Sequence, residues 1–161
     1  AACISVASGE RAASLIIEPG AKIIAEGTVD KPIVFTSDKE PGKRVTGDWG
    51  GLIICGNARV NRTNQPTIEG GPGTHYGNTT SDEFNGESSG KLKYVRIEFA
   101  GYPLEPDKEI NGLTFGGVGS GTEVEFVQVS YSNDDSYECF GGTVNAKHLI
   151  AYKGWDDDFD T

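Results

Sequence analysis

Tyr94-Val-Arg-Ile-Glu-Phe-Ala100, Phe126-Val-Gln-Val-Ser-Tyr-Ser132 and His148-Leu-Ile-Ala-Tyr-Lys-Gly154 superpose at offsets of 32 and 22 residues. In each, an aromatic residue or His precedes an aliphatic one, then a longer side chain (Arg96, Gln128 or Ile150), then an aliphatic residue or Ala. A second echo, 25 residues apart, relates Leu113-Thr-Phe-Gly-Gly117 to Glu138-Cys-Phe-Gly-Gly142. Recurrence at such spacings marks stacked repeats, each of which buries its apolar side only against its neighbours. The pattern predicts an all-β chain, a right-handed parallel β-helix (solenoid) with 22–25 residues per turn and an insertion in the 32-residue interval. Side chains one turn apart would then be neighbours at about 4.8 Å.

Period-2 alternation assigns the faces. Val95, Ile97 and Phe99 are expected to point inward, over Val127, Val129 and Tyr131 and then Leu149 and Ala151. Lys153 falls at an inward position, so the last strand should stop before it. The outward rows are Tyr94–Phe126–His148, Arg96–Gln128–Ile150 and Glu98–Ser130–Tyr152.

Further short β-rich runs lie at Leu15–Ile17, Ala21–Ala25, Ile33–Thr36, Leu52–Cys55 and Gly112–Phe115, separated by Gly, Asn, Asp and Pro. No amphipathic helix is legible. Glycine occurs 23 times, and Gly50-Gly51, Gly116-Gly117 and Gly141-Gly142 are expected at sharp corners, where glycine tolerates positive φ. No helix follows them, so a phosphate-binding glycine loop is disfavoured. Trp49, after Asp48, is expected to pack at a corner. Residues 62–90 carry almost no aliphatic side chain and read as a loop insertion in a single β-helix segment spanning residues 1–161. That loop holds His75, read as a solvated side chain, and the sequon Asn78-Thr-Thr80; Asn61-Arg-Thr63 lies at its start.

Composition narrows the functional classes. With 24 acidic and 14 basic residues the net charge is −10, which repels polyanions and disfavours nucleic-acid partners. No run reaches the roughly 18 apolar residues of a transmembrane segment. The chain lacks methionine, so Ala1 is not an initiator. Cys3, Cys55 and Cys139 form neither a disulfide framework nor a zinc motif; buried thiols or one bridge both remain open.

The motifs Gly20-Ala-Lys-Ile-Ile-Ala-Glu-Gly27, Lys31-Pro-Ile-Val-Phe-Thr-Ser37, Gly47-Asp-Trp-Gly-Gly-Leu-Ile-Ile54, Lys93–Gly101, Asn111–Gly121, Phe140–His148 and Trp155–Thr161 stand out along the chain. Together they resemble those of secreted bacterial right-handed parallel β-helix (pectate-lyase-like) proteins, often labelled lipoprotein or hypothetical surface protein. The resemblance implies the β-helix fold, a secreted or outer-surface location and continuation in a longer chain. It implies no reaction. Cys55 and Cys139 stand where the family pattern leads one to expect apolar or aromatic residues.

Two candidate sites follow from the residues. The 22-residue offset places Asp134 over Asp156 and Asp135 over Asp157, with Asp158 and Asp160 beside them. Stacked carboxylates repel unless a cation, a basic partner or a proton intervenes, and an oxygen-rich cluster suits Ca2+, which takes 6–8 oxygen ligands. Solvated turn acids are the competing reading. The second candidate is a glycan-binding face of Tyr94, Glu98, Phe126, Ser130, His148 and Tyr152, since aromatic rings flanked by hydroxyls and carboxylates hold sugars; self-stacking of these rings is the alternative. The expected role is non-catalytic: surface structure, adhesion or glycan binding, with a glycan or another surface protein as partner, or end-to-end association. The competing role is a Ca2+-dependent polysaccharide lyase using Arg96, Lys147, His148 or Lys153 as base.

Overall fold

The computed structural model describes residues 3–6, 13–69, 73–105 and 108–161, those at 3–6, 104, 105, 108 and 109 by backbone alone. Among these the secondary structure is β throughout. The strands are β1 (Cys3–Val6), β2 (Ser14–Ile17), β3 (Ile23–Glu26), β4 (Ile33–Ser37), β5 (Gly51–Cys55), β6 (Gly90–Glu98) and β7 (Pro103–Glu105). They continue with β8 (Lys108–Glu109), β9 (Leu113–Val118), β10 (Glu123–Ser130), β11 (Tyr137–Gly142), β12 (Asn145–Tyr152) and β13 (Phe159–Asp160).

The chain feeds two sheets in turn. The first runs β1-β4-β6-β10-β12, with β3 also on β6; the second runs β2-β5-β9-β11-β13. Every pairing within both sheets is parallel. Among the described strands, β7 and β8 alone pair antiparallel, on the path from the first sheet to the second. Parallel neighbours require a return path between them, and here each return path is itself a strand of the other sheet.

Apolar alternation sets the register. Val95 pairs with Val127 and Val127 with Leu149, and Ile97 with Val129 and Val129 with Ala151, as the sequence pattern predicts. These residues meet Leu52, Ile54, Leu113 and Phe115 of the second sheet in one buried cluster that also holds Trp49 and Tyr137. The Trp49 Nε1 donates to the Glu98 carbonyl at 2.8 Å. The Tyr137 hydroxyl crosses the interior to the carbonyls of Val127 (2.8 Å) and Ile150 (3.1 Å), which satisfies a donor that burial would otherwise make costly. Lys153 lies just beyond the end of β12.

Three expectations are corrected. The 25-residue echo is not the pairing: Leu113 faces Tyr137 and Phe115 faces Cys139, an offset of 24. A one-residue slip exchanges the two faces, so Tyr137 takes the inward position and Glu138 the outward one. Gly116-Gly117 and Gly141-Gly142 lie inside β9 and β11 rather than beyond them. Phe99 and Tyr131 do not point inward; both are half-buried, and their rings stack on each other at 5.0 Å.

The physical reason is a repeated backbone bend. Tyr94, Phe126 and His148 have φ of 50°, 55° and 56°, and Phe99, Tyr131 and Lys153 have 63°, 59° and 56°. A left-handed residue adds one outward position to the count. After Leu92 and Val124 two successive side chains therefore face out before Val95 and Val127 return to the core, and alternation resumes. The cost is about 1–2 kcal/mol for each non-glycine residue held there.

Residues 56–89 contain no strand among those described, only bridges such as Arg59 with Asn78 and Thr67 with His75. They pack back on the second sheet: Val60, Ile68 and Tyr76 join Ile53, Cys55 and Ile110 in a second buried cluster. β5 is consequently buried on both faces.

Gly90, where β6 opens, has φ +116°, and a Cβ there would lie 1.9 Å from the Ile23 carbonyl oxygen. Gly20 has φ +83° with open space around it. Gly90→Ala should therefore destabilise by about 3 kcal/mol or more, and Gly20→Ala by only about 1–2 kcal/mol, the bare cost of its backbone conformation. Urea unfolding midpoints check the contrast; equal losses would show that the Gly90 approach to β3 is not tight.

Candidate functional site

The left-handed bend aligns in β6, β10 and β12, so the three side chains it carries fall on one line. The rings of Tyr94 and Phe126 stack at 4.7 Å and 4°, those of Phe126 and His148 at 4.4 Å and 11°. In the strand before them, six residues replace one: Glu26 pairs with Lys93 and Ile33 with Val95, so the excursion 27–32 stands opposite Tyr94 alone. Its turn closes through Thr28 and Lys31, whose amides each donate to the other's carbonyl, and it is tied down by the Gly27 amide on the Lys93 carbonyl at 2.8 Å. The excursion overhangs the ring stack and forms a groove of about 300 Å³ lined by Val29, Pro32, Tyr94, Arg96, Phe126 and His148.

Of the residues expected on a glycan face, the structure brings Tyr94, Phe126 and His148 into this groove. Both faces of Phe126 are taken by neighbouring rings, so the stack offers ring edges. Ser130 is only 3% exposed and its hydroxyl accepts from Gln128 Nε2 at 2.8 Å, which removes it from the open face. Glu98 is half-buried and accepts from Thr36 Oγ1 at 3.4 Å. Tyr152 is exposed and meets Tyr131 edge-on at 5.7 Å, with the Lys153 ammonium 5.3 Å from the Tyr152 ring centre.

The acidic residues gather at the corner after the first sheet and on the outer face of the second. Asp134, Asp135 and Asp156 bring carboxylate oxygens within 4.8 Å of one another, and so do Asp135, Glu138 and Asp160. Asp157 takes part through its backbone: its amide donates to Asp135 Oδ1 at 2.9 Å, and its carbonyl accepts from the Ser136 amide at 2.9 Å. Asp158 is exposed and belongs to neither group.

Glu138 lies outside the set of aspartates that the sequence marks as metal candidates. It stands on the outer face of β11, beside Thr114 of β9. Asn111 Nδ2 donates to its Oε2. Burial, followed by the charges of Asp135, Glu69, Asp160 and Asp134, pushes its carboxyl up to about 8. Burial raises Asp135 too, against the Asp157 amide that favours its ionised form. Glu138 and Asp160 line a cleft of about 580 Å³ with Val60, Arg62, Tyr76 and Phe140. Arg62 and Tyr76 come from the segment that reads as loop; no local pattern in the sequence links them to Glu138. Cys139 also lines the cleft, and burial pushes its thiol up, as it pushes that of the buried Cys55 up to about 12. Both are free cysteines with little thiolate near neutral pH; the Cys3 side chain lies outside the described residues.

Two of the candidate lyase bases stand apart from the second-sheet acids. Arg96 and His148 line the first-sheet groove, whereas Glu138 and Asp160 line the second-sheet cleft. Lys147 is exposed on β12 and Lys153 lies over Tyr131 and Tyr152.

Parallel strands passing alternately between two sheets agree with one comparison. The model of the pectate-lyase like beta helix domain matches residues 1–161. The chain belongs to that family. No curated protein and no solved structure matches it. Membership accounts for the parallel ladders, while reaction chemistry has to be argued from sites rather than fold. No helix among the described residues is long and apolar enough to cross a membrane.

The raised Glu138 carboxyl has a signed consequence. Its folded-state value, about 8, lies above the ordinary 4.5, so the fold favours the protonated form. That contribution is fully present below about pH 4.5 and is lost as pH rises through about 8. In EDTA, wild type and Glu138→Gln should melt at similar temperatures at pH 5, and the variant should melt higher at pH 9. Calorimetric Tm measured against pH checks this; a wild type that gains on the variant with rising pH contradicts it.

Proposed function

We propose that this chain is a non-catalytic segment of an exported right-handed parallel β-helix that serves surface structure or adhesion by holding a glycan in the groove over Tyr94, Phe126 and His148. The alternation of strands between two parallel sheets supports reading them as faces of one solenoid, with residues 62–90 as a loop carried on one turn. The sequence motifs shared with secreted β-helix proteins support export.

The groove carries the glycan reading. The ring edges of Tyr94, Phe126 and His148 form the floor, Val29 and Pro32 form an apolar lip, and Arg96 and Gln128 add polar groups to the lining. Sugars present alternating C–H patches and hydroxyls, which suits an apolar wall with a few fixed polar groups. An extended chain lying along the strand-stacking direction would meet the same kind of surface at each strand.

A glycan array followed by calorimetry tests the proposal. At least one oligosaccharide should bind, and Arg96→Ala, an exposed change, should weaken it by about tenfold with Tm unchanged. Phe126→Ala should lower affinity and stability together, since it also removes two ring contacts worth about 0.5–1.5 kcal/mol each. An inert array overturns glycan binding. Release of unsaturated uronate absorbance from alginate or pectin overturns the non-catalytic reading in favour of the Ca2+-dependent lyase.

A further inference from the structure

We propose that Asp135, Glu138 and Asp160, with the side-chain carbonyl of Asn111, bind one divalent cation of the Ca2+ class at the inner end of the second-sheet cleft. The proposal is independent of the glycan reading, whose groove lies on the other sheet.

Charge imposes the first requirement. Three carboxylates from β11, its preceding corner and β13 hold oxygens within 4.8 Å of one another. Among the described residues, Lys39, Arg59, Lys91 and Lys93 form ion pairs elsewhere, with Asp48, Asp82, Glu26, Glu123 and Glu125. Among the described residues no lysine or arginine forms an ion pair with these three acids. Arg62 lines the same cleft without forming an ion pair with them. Like charges at this separation in partly buried surroundings need a counter-charge or a proton.

An independent observation concerns buried polar atoms. Two among the described residues lack a hydrogen-bond partner, Asn111 Oδ1 and Ser136 Oγ. Both residues border this cluster: Ser136 follows Asp135, and Asn111 is 4% exposed with its amide nitrogen on Glu138. The unpartnered oxygen belongs to the same amide whose nitrogen reaches Glu138. A buried carbonyl left without a donor costs free energy, and a hard cation satisfies it directly.

The donor set selects the ion. Three carboxylates and one amide carbonyl are all oxygen, without sulfur or imidazole, which suits Ca2+ over zinc or copper. Asp135 Oδ1 is engaged by the Asp157 amide, which orients that carboxylate and leaves its second oxygen to bind. Glu138 and Asp160 face the cleft, through which an ion enters and water completes the shell.

The test uses protein stripped with EDTA and titrated with CaCl2 alone. One equivalent should bind with measurable heat, and Tm should rise by roughly 5–10 °C at a Ca2+ concentration about a hundred times Kd. Glu138→Gln and the exposed Asp160→Asn should each weaken binding by about tenfold or more. Asp156→Asn, which belongs only to the neighbouring group with Asp134, should leave affinity within about twofold. A circular-dichroism spectrum matching wild type accompanies each variant. Absence of heat and Tm shift up to about 10 mM Ca2+ overturns the proposal. So does binding that survives Glu138→Gln and is lost in Asp156→Asn.

Discussion

Parallel strands stacked directly on one another must bend at the same height, and this constraint organises the molecule. A bend in one strand must be met in its neighbour by a like bend, or by an excursion such as 27–32, for the hydrogen-bond ladder to continue beyond it. The chain meets the requirement by placing left-handed backbone at Tyr94, Phe126 and His148, and again at Phe99, Tyr131 and Lys153. Neither row contains glycine, the residue that would adopt this conformation without penalty. Ring stacking offsets part of the penalty: a stacked pair contributes about 0.5–1.5 kcal/mol beyond area burial, which is comparable with the strain of one such residue. The bend and the stack therefore require each other, and the Tyr94 row doubles as the floor of the groove.

That coupling explains what was legible in the sequence. The rows Val95–Val127–Leu149 and Ile97–Val129–Ala151 depend on apolar period and repeat length alone, and both are written in the chain. Phe99 and Tyr131 were misplaced because alternation assumes an unbent strand, and no residue type at those positions announces positive φ. The 25-residue echo failed for another reason. Phe-Gly-Gly recurs with one residue added between copies, so identity of letters and identity of position part company, and Glu138 faces outward.

The sites divide along the same line. Asp134, Asp135 and Asp156 meet because a register already visible in the strands carries into the following corner. Glu138 pairs with Asp160 at the same 22-residue offset, but its outward orientation needs the corrected register with β9, and its neighbours Asn111, Arg62 and Tyr76 arrive from remote segments. Residues 56–89 are poor in aliphatic side chains, yet Val60, Ile68 and Tyr76 suffice to cover Ile53 and Cys55. A few well-placed apolar groups bury a sheet face that composition alone would leave open.

The excursion at 27–32 stands in for a single bent residue while its flanking strands keep the register of β6. Length and sequence in this short lip are thereby uncoupled from the ladder that carries it. The chain can exchange Val29 or Pro32, or lengthen the turn, without disturbing how Glu26 and Ile33 pair on either side. The lining of the groove can thus vary at this point while the ladder beneath keeps its pairing, much as a replaceable tip fits a fixed handle.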